Sequence, residues 1–169
     1  DVYKRQVCMP AYAAAQKKPL HLFAIGESPV AGVGVELQED AITAQFARQL
    51  SDFTNQTIHW YAFGKNGATV ADALHDVIPL MQALPEPEAQ VVLLAFGVND
   101  ATAFHSSRRY RRDLDMLIAA VQDSLKPDLL IVAGVPPLHL FPALPQPLRH
   151  VLGIKARALD LVTQQVVKL

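Results

Sequence analysis

The stretch LHLFAIGES, residues 20–28, decides the architecture. Its apolar run stops at Gly26, the pattern of a short strand buried on both faces. Ser28 follows two residues later, ahead of Pro29 and the glycines at 32 and 34. A hydroxyl at the tip of a buried strand, on backbone this mobile, asks for a reason.

The same alternation repeats downstream. EDAITAQFARQLSDF spaces Ile42, Phe46, Ala47 and Leu50 at helical intervals. QTIHWYAFG (56–64) is rich in β-formers and reads as a second strand. ATVADALHDVIPLMQAL (68–84) reads as one helix, with Val70, Leu74, Val77 and Ile78 on one face. AQVVLLAFG (89–97) is the most apolar strand and is predicted at the sheet centre. RRYRRDLDMLIAAVQDSL is a third helix, PDLLIVAGV a fourth strand, PPLHLFPALPQP a proline-rich loop, and residues 148–169 a last helix. Strands alternating with helices predict an α/β fold: a three-layer α/β/α sandwich around a parallel sheet with right-handed crossovers.

At 169 residues, 51% of them hydrophobic, the chain is of single-domain size and able to bury a core. The formal net charge of -1 gives no footprint for nucleic acid or an anionic membrane. The one dense basic group, RRYRR at 108–112, reads as a solvated helix face. Cys8 is the only cysteine, which rules out an intrachain disulfide and a thiolate zinc cluster; no metal or cofactor is expected. No apolar run reaches the ~18 residues of a membrane span. Residues 1–19 are read as a disordered or non-native tail, DVYKRQ lacking any periodicity, and the domain as residues 20–169. Ala-Tyr-Ala at 11–13 resembles a signal-peptide cleavage site without the apolar stretch that precedes one, so export stays open, as do localisation and oligomeric state.

In open parallel sheets, ligands sit outside the carboxyl ends of the strands. The four predicted strand ends carry GESPVAG, GKNGAT, GVNDAT and GVPPLHLFPALPQP. Ser28 offers a hydroxyl, Gly67 an unhindered backbone N–H, and Asn99 a side-chain amide. A serine nucleophile needs such donors around the oxygen that becomes negative in the tetrahedral intermediate. Each residue has a bland alternative. Ser28 could cap a helix, although the next predicted helix starts some ten residues later. Gly67 could be a turn residue, and Asn99 with Asp100 could cap a short helix. Their order and placement together favour chemistry.

From about Leu20 onward the sequence resembles the SGNH hydrolases, the GDSL-type esterases and lipases, a flavodoxin-like fold. The resemblance rests on GES at 26–28, on Gly67 in NGAT, and on GVND at 97–100, in the family's order. It implies Ser28 as nucleophile, with its own N–H, the Gly67 N–H and the Asn99 side chain as oxyanion donors. It implies hydrolysis of small-molecule or lipid carboxylic esters through an acyl-enzyme. Glu27 stands where the family usually has aspartate, a side chain that supports the turn.

The family's fourth block, an Asp-x-x-His after a further strand, has no counterpart at the C-terminal end. The catalytic Asp and His are therefore expected beyond residue 169, and this chain is expected to lack the last strand and to be poorly active. The one Asp-x-x-His present, Asp72 to His75, reads as a solvated helical pair. His21 and His59 fall in strands, and His105 and His150 near helix starts. His139, Leu140 and Phe141, in the loop after the fourth strand, are candidate substrate contacts or a cover for the sheet edge. The alternative is a non-catalytic, flavodoxin-like binding or interaction domain. Against phosphate-loop binding, the chain has no G-x-x-x-x-G-K-[ST], and GVGVEL (32–37) lacks the third glycine of G-x-G-x-x-G.

Overall fold

The computed structural model describes residues 3–8, 18–83 and 88–168. Five strands form one sheet: β1 (Tyr3–Cys8), β2 (Leu20–Gly26), β3 (Ile58–Gly64), β4 (Val91–Ala95) and β5 (Leu129–Val132). Their order is β1-β3-β2-β4-β5. β2 to β5 run parallel, and β1 adds to β3 antiparallel.

Both faces of the sheet are apolar because the strands alternate two sets of hydrophobic side chains. Leu22, Ala24, Trp60, Ala62 and Leu93 face one side. α1 (Ser28–Ala31) and α2 (Ile42–Thr54) cover them with Val30, Ala44 and Ala47. Phe23, Ile25, Phe63, Val92 and Leu94 face the other side. α3 (Val70–Asp76), α4 (Ile78–Gln82), α5 (Val98–Thr102), α6 (Ser107–Leu125) and α7 (Leu148–Val167) supply the cover there. The fold is thus the expected three-layer sandwich. Each side chain of the size of Leu22, Ile25 or Phe63 contributes about 1.5–3 kcal/mol when fully buried.

Four expectations need correction. Residues 3–8 form a strand, so DVYKRQ does not stand wholly outside the fold; an edge strand, paired on one side only, forms here without an apolar run or a period-2 pattern. Residues 9–17, with the Ala-Tyr-Ala pattern, lie outside the described residues. β2, rather than the more apolar β4, is the central strand, since the chain pairs first on one side of it and then on the other. The helix predicted over 68–84 is broken into α3 and α4 at Val77. Pro79 has no N–H to donate to the turn before it and suits the first turn of a new helix. Finally, a helical turn begins at Ser28 itself, where a loop was expected.

That reversal of pairing direction makes β2 the topological switch point, where open α/β sheets form their ligand crevice. Gly26, Gly64 and Ala95 lie level across the three central strands. α1 sits directly on these ends. A Cβ on Gly64 would overlap the Ala31 backbone nitrogen, and one on Gly26 would lie 2.5 Å from Val30 Cγ2. The glycines that end β2 and β3 therefore let the first turn after Ser28 pack against the sheet.

Because the clash at Gly64 is with backbone, Gly64→Ala is expected to destabilise the fold by about 1–3 kcal/mol or more, read from urea unfolding. Unchanged stability would mean that α1 does not sit on the strand end.

Candidate active site

Ser28, Gly67 and Asn99 follow the level ends of β2, β3 and β4 by two, three and four residues. Each is held by a different local device.

Ser28 is the first residue of α1, with Glu27 as its N-cap in extended backbone and Pro29 next. Its N–H lies at a helix start, where no intrahelical acceptor exists. Neither that N–H nor the half-buried hydroxyl is hydrogen-bonded to a described residue. Gly32 closes the turn in left-handed backbone at φ 77°.

Gly67 occupies the third position of a turn closed by Ala68 N–H donating to Lys65 O at 3.2 Å. Its φ of 78° is the left-handed region that such a position demands and glycine supplies. Its N–H too has no acceptor among the described residues.

Asn99 sits in the first turn of α5, behind Gly97 at φ 125°. Its amide Nδ2 donates to Ala68 O at 2.9 Å. An amide nitrogen carries two hydrogens. The bond to Ala68 fixes the amide plane and leaves the second N–H over. Asn99 thereby ties the third strand-end loop to the Gly67 loop.

Glu27 ties the first loop to the third. Its Oε1 accepts the Val98 N–H and its Oε2 the Asn99 N–H, each at 2.9 Å. The side chain is buried. Burial pushes its carboxyl above the usual range, the two backbone amides pull it back, and nearby Asp100 adds to the rise. The expectation that residue 27 supports the turn was general; the structure gives the support as two backbone bonds to α5.

Asp100 is fully buried. Its Oδ2 accepts the Val70 N–H at 3.1 Å, at the start of α3, and its Oδ1 meets His105 Nδ1 at 2.8 Å. Asp100 thus braces the loop, joining the start of α3 to His105. His105 and Tyr110 were not anticipated here. Tyr110 is buried, and its hydroxyl bonds Thr163 Oγ1 of α7 at 3.0 Å. Burial pushes its phenol up to about 12, with Asp100, Glu27 and Asp160 adding to the rise against that hydrogen bond. The helical spacing of Tyr110, Leu114, Leu117 and Val121 was the available signal for a buried tyrosine.

The other histidines do not reach Ser28. His21 and His59 stack at 5.3 Å near the opposite ends of their strands. Asp72 caps α3 by accepting the Thr69 N–H and hydroxyl, which holds its carboxyl below the usual range; exposed His75 shares no bond with it. The 3-10 turn Leu138–Leu140 leaves His139 exposed, with Leu140 67% and Phe141 42% exposed. No hydrogen bond or ion pair among the described residues joins these three to Ser28, Gly67 or Asn99. No group of three or more His, Cys, Asp or Glu able to hold a metal occurs among the described residues. No helix among them is long and apolar enough to cross a membrane.

Residues 24–168 match the sequence pattern of the GDSL-like lipase/acylhydrolase family. The chain belongs to that family. Its fold is shared with AlinE4, an SGNH-hydrolase family esterase, at TM-score 0.71 and 16% identity, covering 91% of this chain and 74% of that one. It is also similar to the acetylxylan esterase Axe2 of Geobacillus stearothermophilus, at TM-score 0.58 and 16% identity over 88% and 73% of the two chains. A third similar structure is the psychrotrophic esterase EstA from Pseudoalteromonas sp., solved with monoethylphosphonate as inhibitor, at TM-score 0.61, 17% identity, and 88% and 72% coverage. A search of curated proteins finds no match.

Glu27→Ala leaves two part-buried N–H groups without their acceptor and is expected to cost about 1–3 kcal/mol in all, read from chemical unfolding. The pH dependence has a definite sign. A carboxyl raised in the folded state holds its proton more tightly there than in the unfolded chain, so Glu27 stabilises most below the ordinary value of 4.5 and less as pH rises through its folded pKa. The stability gap between wild type and Glu27→Ala is therefore expected to narrow as pH rises through that window. A gap that widens would contradict it.

Proposed function

We propose that this chain is the Ser28-bearing part of a carboxylic ester hydrolase that works through an acyl-enzyme. The supporting observation is that three unengaged donors share one edge of the sheet: the Ser28 N–H, the Gly67 N–H and the second N–H of Asn99. Two are backbone groups held by a helix start and a turn, and the third is locked by Ala68. Donors fixed before reaction stabilise developing negative charge without reorganising during it.

In this reading the Ser28 hydroxyl attacks the ester carbonyl while its proton passes to a base. The carbonyl oxygen takes the negative charge among the three donors. Collapse releases the alcohol, which takes up the proton, and leaves the acyl group on Ser28. Water, deprotonated by the same base, then frees the acid. Since none of the six histidines engages Ser28, we assign the base, with its Asp partner, to residues outside these 169. Catalysis by the 169 residues alone is accordingly proposed to be slow.

The substrate is proposed as a small-molecule or lipid ester; AlinE4 and EstA are named as esterases and Axe2 as an acetylxylan esterase. His139, Leu140 and Phe141 are proposed as substrate contacts on the side of β5, on the strength of their exposure at that strand end. A degenerate binding domain is the competing reading.

Incubation of the complete enzyme with an organophosphonate ester, followed by mass mapping, is expected to place one adduct on Ser28 and none on Ser28→Ala. Labelling that survives that substitution would overturn the proposal. Asn99→Ala is expected to lower kcat by about 2.7–4 kcal/mol of transition-state stabilisation with KM little changed, measured on the complete enzyme with an aryl ester. A loss confined to KM would make Asn99 a substrate-binding residue instead.

A further inference from the structure

A second polar site lies on the outer side of α7. Where the 3-10 turn at 138–140 packs on this helix there is a cavity of about 240 Å³, lined by His139, His150, Gly153, Ile154 and Arg157. Gly153 makes it: a Cβ there would lie 2.6 Å from the His139 Cβ, so only glycine lets the turn approach the helix this closely.

Three of the five lining residues carry nitrogen donors, and none is acidic. His139, His150 and Arg157 are exposed, and their side chains make no hydrogen bond or ion pair with a described residue. The contrast with α6 is direct, for Arg109 and Arg112 lie against Asp113, and Arg111 against Asp115. On α7 the single acid, Asp160, is engaged elsewhere, accepting the Val135 N–H and the Gln164 amide. Arg149, the remaining arginine of α7, is turned away to the carbonyls of Leu144 and Pro142. His150 also lies in the first turn, which holds no acid, where the helix dipole is positive.

We propose that this cavity binds a phosphate monoester. The Arg157 fork suits two oxygens of a tetrahedral dianion. Each imidazole donates at least one N–H in either protonation state. Ile154, 62% exposed, offers an apolar wall for the carbon skeleton that carries the phosphate. The cavity is lined by none of Ser28, Gly67 and Asn99, shares only His139 with the proposed substrate contacts, and goes beyond the esterase reading. The same chemistry fits a soluble phosphate ester or the headgroup of phosphatidic acid.

The test is binding by the 169-residue chain, which needs no turnover, so its failure leaves the esterase reading where it stood. Glycerol 3-phosphate is titrated while backbone NMR resonances are followed. In parallel, cosedimentation is measured with phosphatidylcholine vesicles with and without phosphatidic acid. Saturable shifts at His139, His150, Gly153 and Arg157 are expected, weakened by about tenfold or more in Arg157→Ala and in His150→Ala. Both substitutions are at exposed positions, and retained amide dispersion verifies folding. Binding only to phosphatidic acid vesicles, lost in Arg157→Ala, assigns the phosphate to a lipid. No saturable binding in either arm, or binding unchanged in both variants, overturns the proposal.

Discussion

The candidate site depends on one carboxylate. Glu27 belongs to the first strand-end loop, yet both its oxygens are spent on backbone amides of the third, Val98 and Asn99. Those bonds fix where α5 begins and so where the Asn99 amide stands relative to Ser28. Burying this side chain opposes its ionisation, as its raised pKa records, and the two amides offset part of that cost. The same logic runs through Asp100, which spends one oxygen on the start of α3 and the other on His105. Three loops that share no covalent neighbour are joined into one unit by two buried acids and one amide.

This bracing explains why the donors are left unengaged. Ordinary turns satisfy their own backbone groups, and buried N–H groups seldom go without a partner. Here the structural bonds are made by groups beside the donors: Glu27 beside Ser28, Ala68 beside Gly67, and one hydrogen of Asn99 itself. The Ser28 and Gly67 N–H groups are then left without an acceptor among the described residues, on backbone braced by these neighbouring bonds. Tyr110 closes the unit from below, linking α6 to α7 beneath Gly97, whose added Cβ would lie 3.3 Å from its hydroxyl.

Much of this was legible in the sequence. The alternation of apolar runs with helical spacing gave the layers, and the glycine after each run marked the strand ends. Ser28, Gly67 and Asn99 stood out as polar groups just after predicted strand ends, and the structure places them two, three and four residues past the level ends of β2, β3 and β4. What was not legible were effects that depend on partners distant in sequence. Nothing near residue 27 says that its carboxylate meets residues 98 and 99. The pairing of His105 with Asp100 spans five residues, a spacing with no helical or strand signature. The first strand was missed because an edge strand needs no apolar run, and Pro79 was read through because the hydrophobic spacing continues past it. The order of the sheet follows from which strand is paired first, and composition does not record that.

The most direct measurement is a crystal structure of the complete enzyme carrying a phosphonate on Ser28, since the adduct presents an oxygen where the tetrahedral intermediate would. The account predicts that oxygen within about 2.7–3.1 Å of the Ser28 nitrogen, the Gly67 nitrogen and Asn99 Nδ2. A phosphonyl oxygen directed to solvent, with the Gly67 and Asn99 donors unengaged, would contradict it.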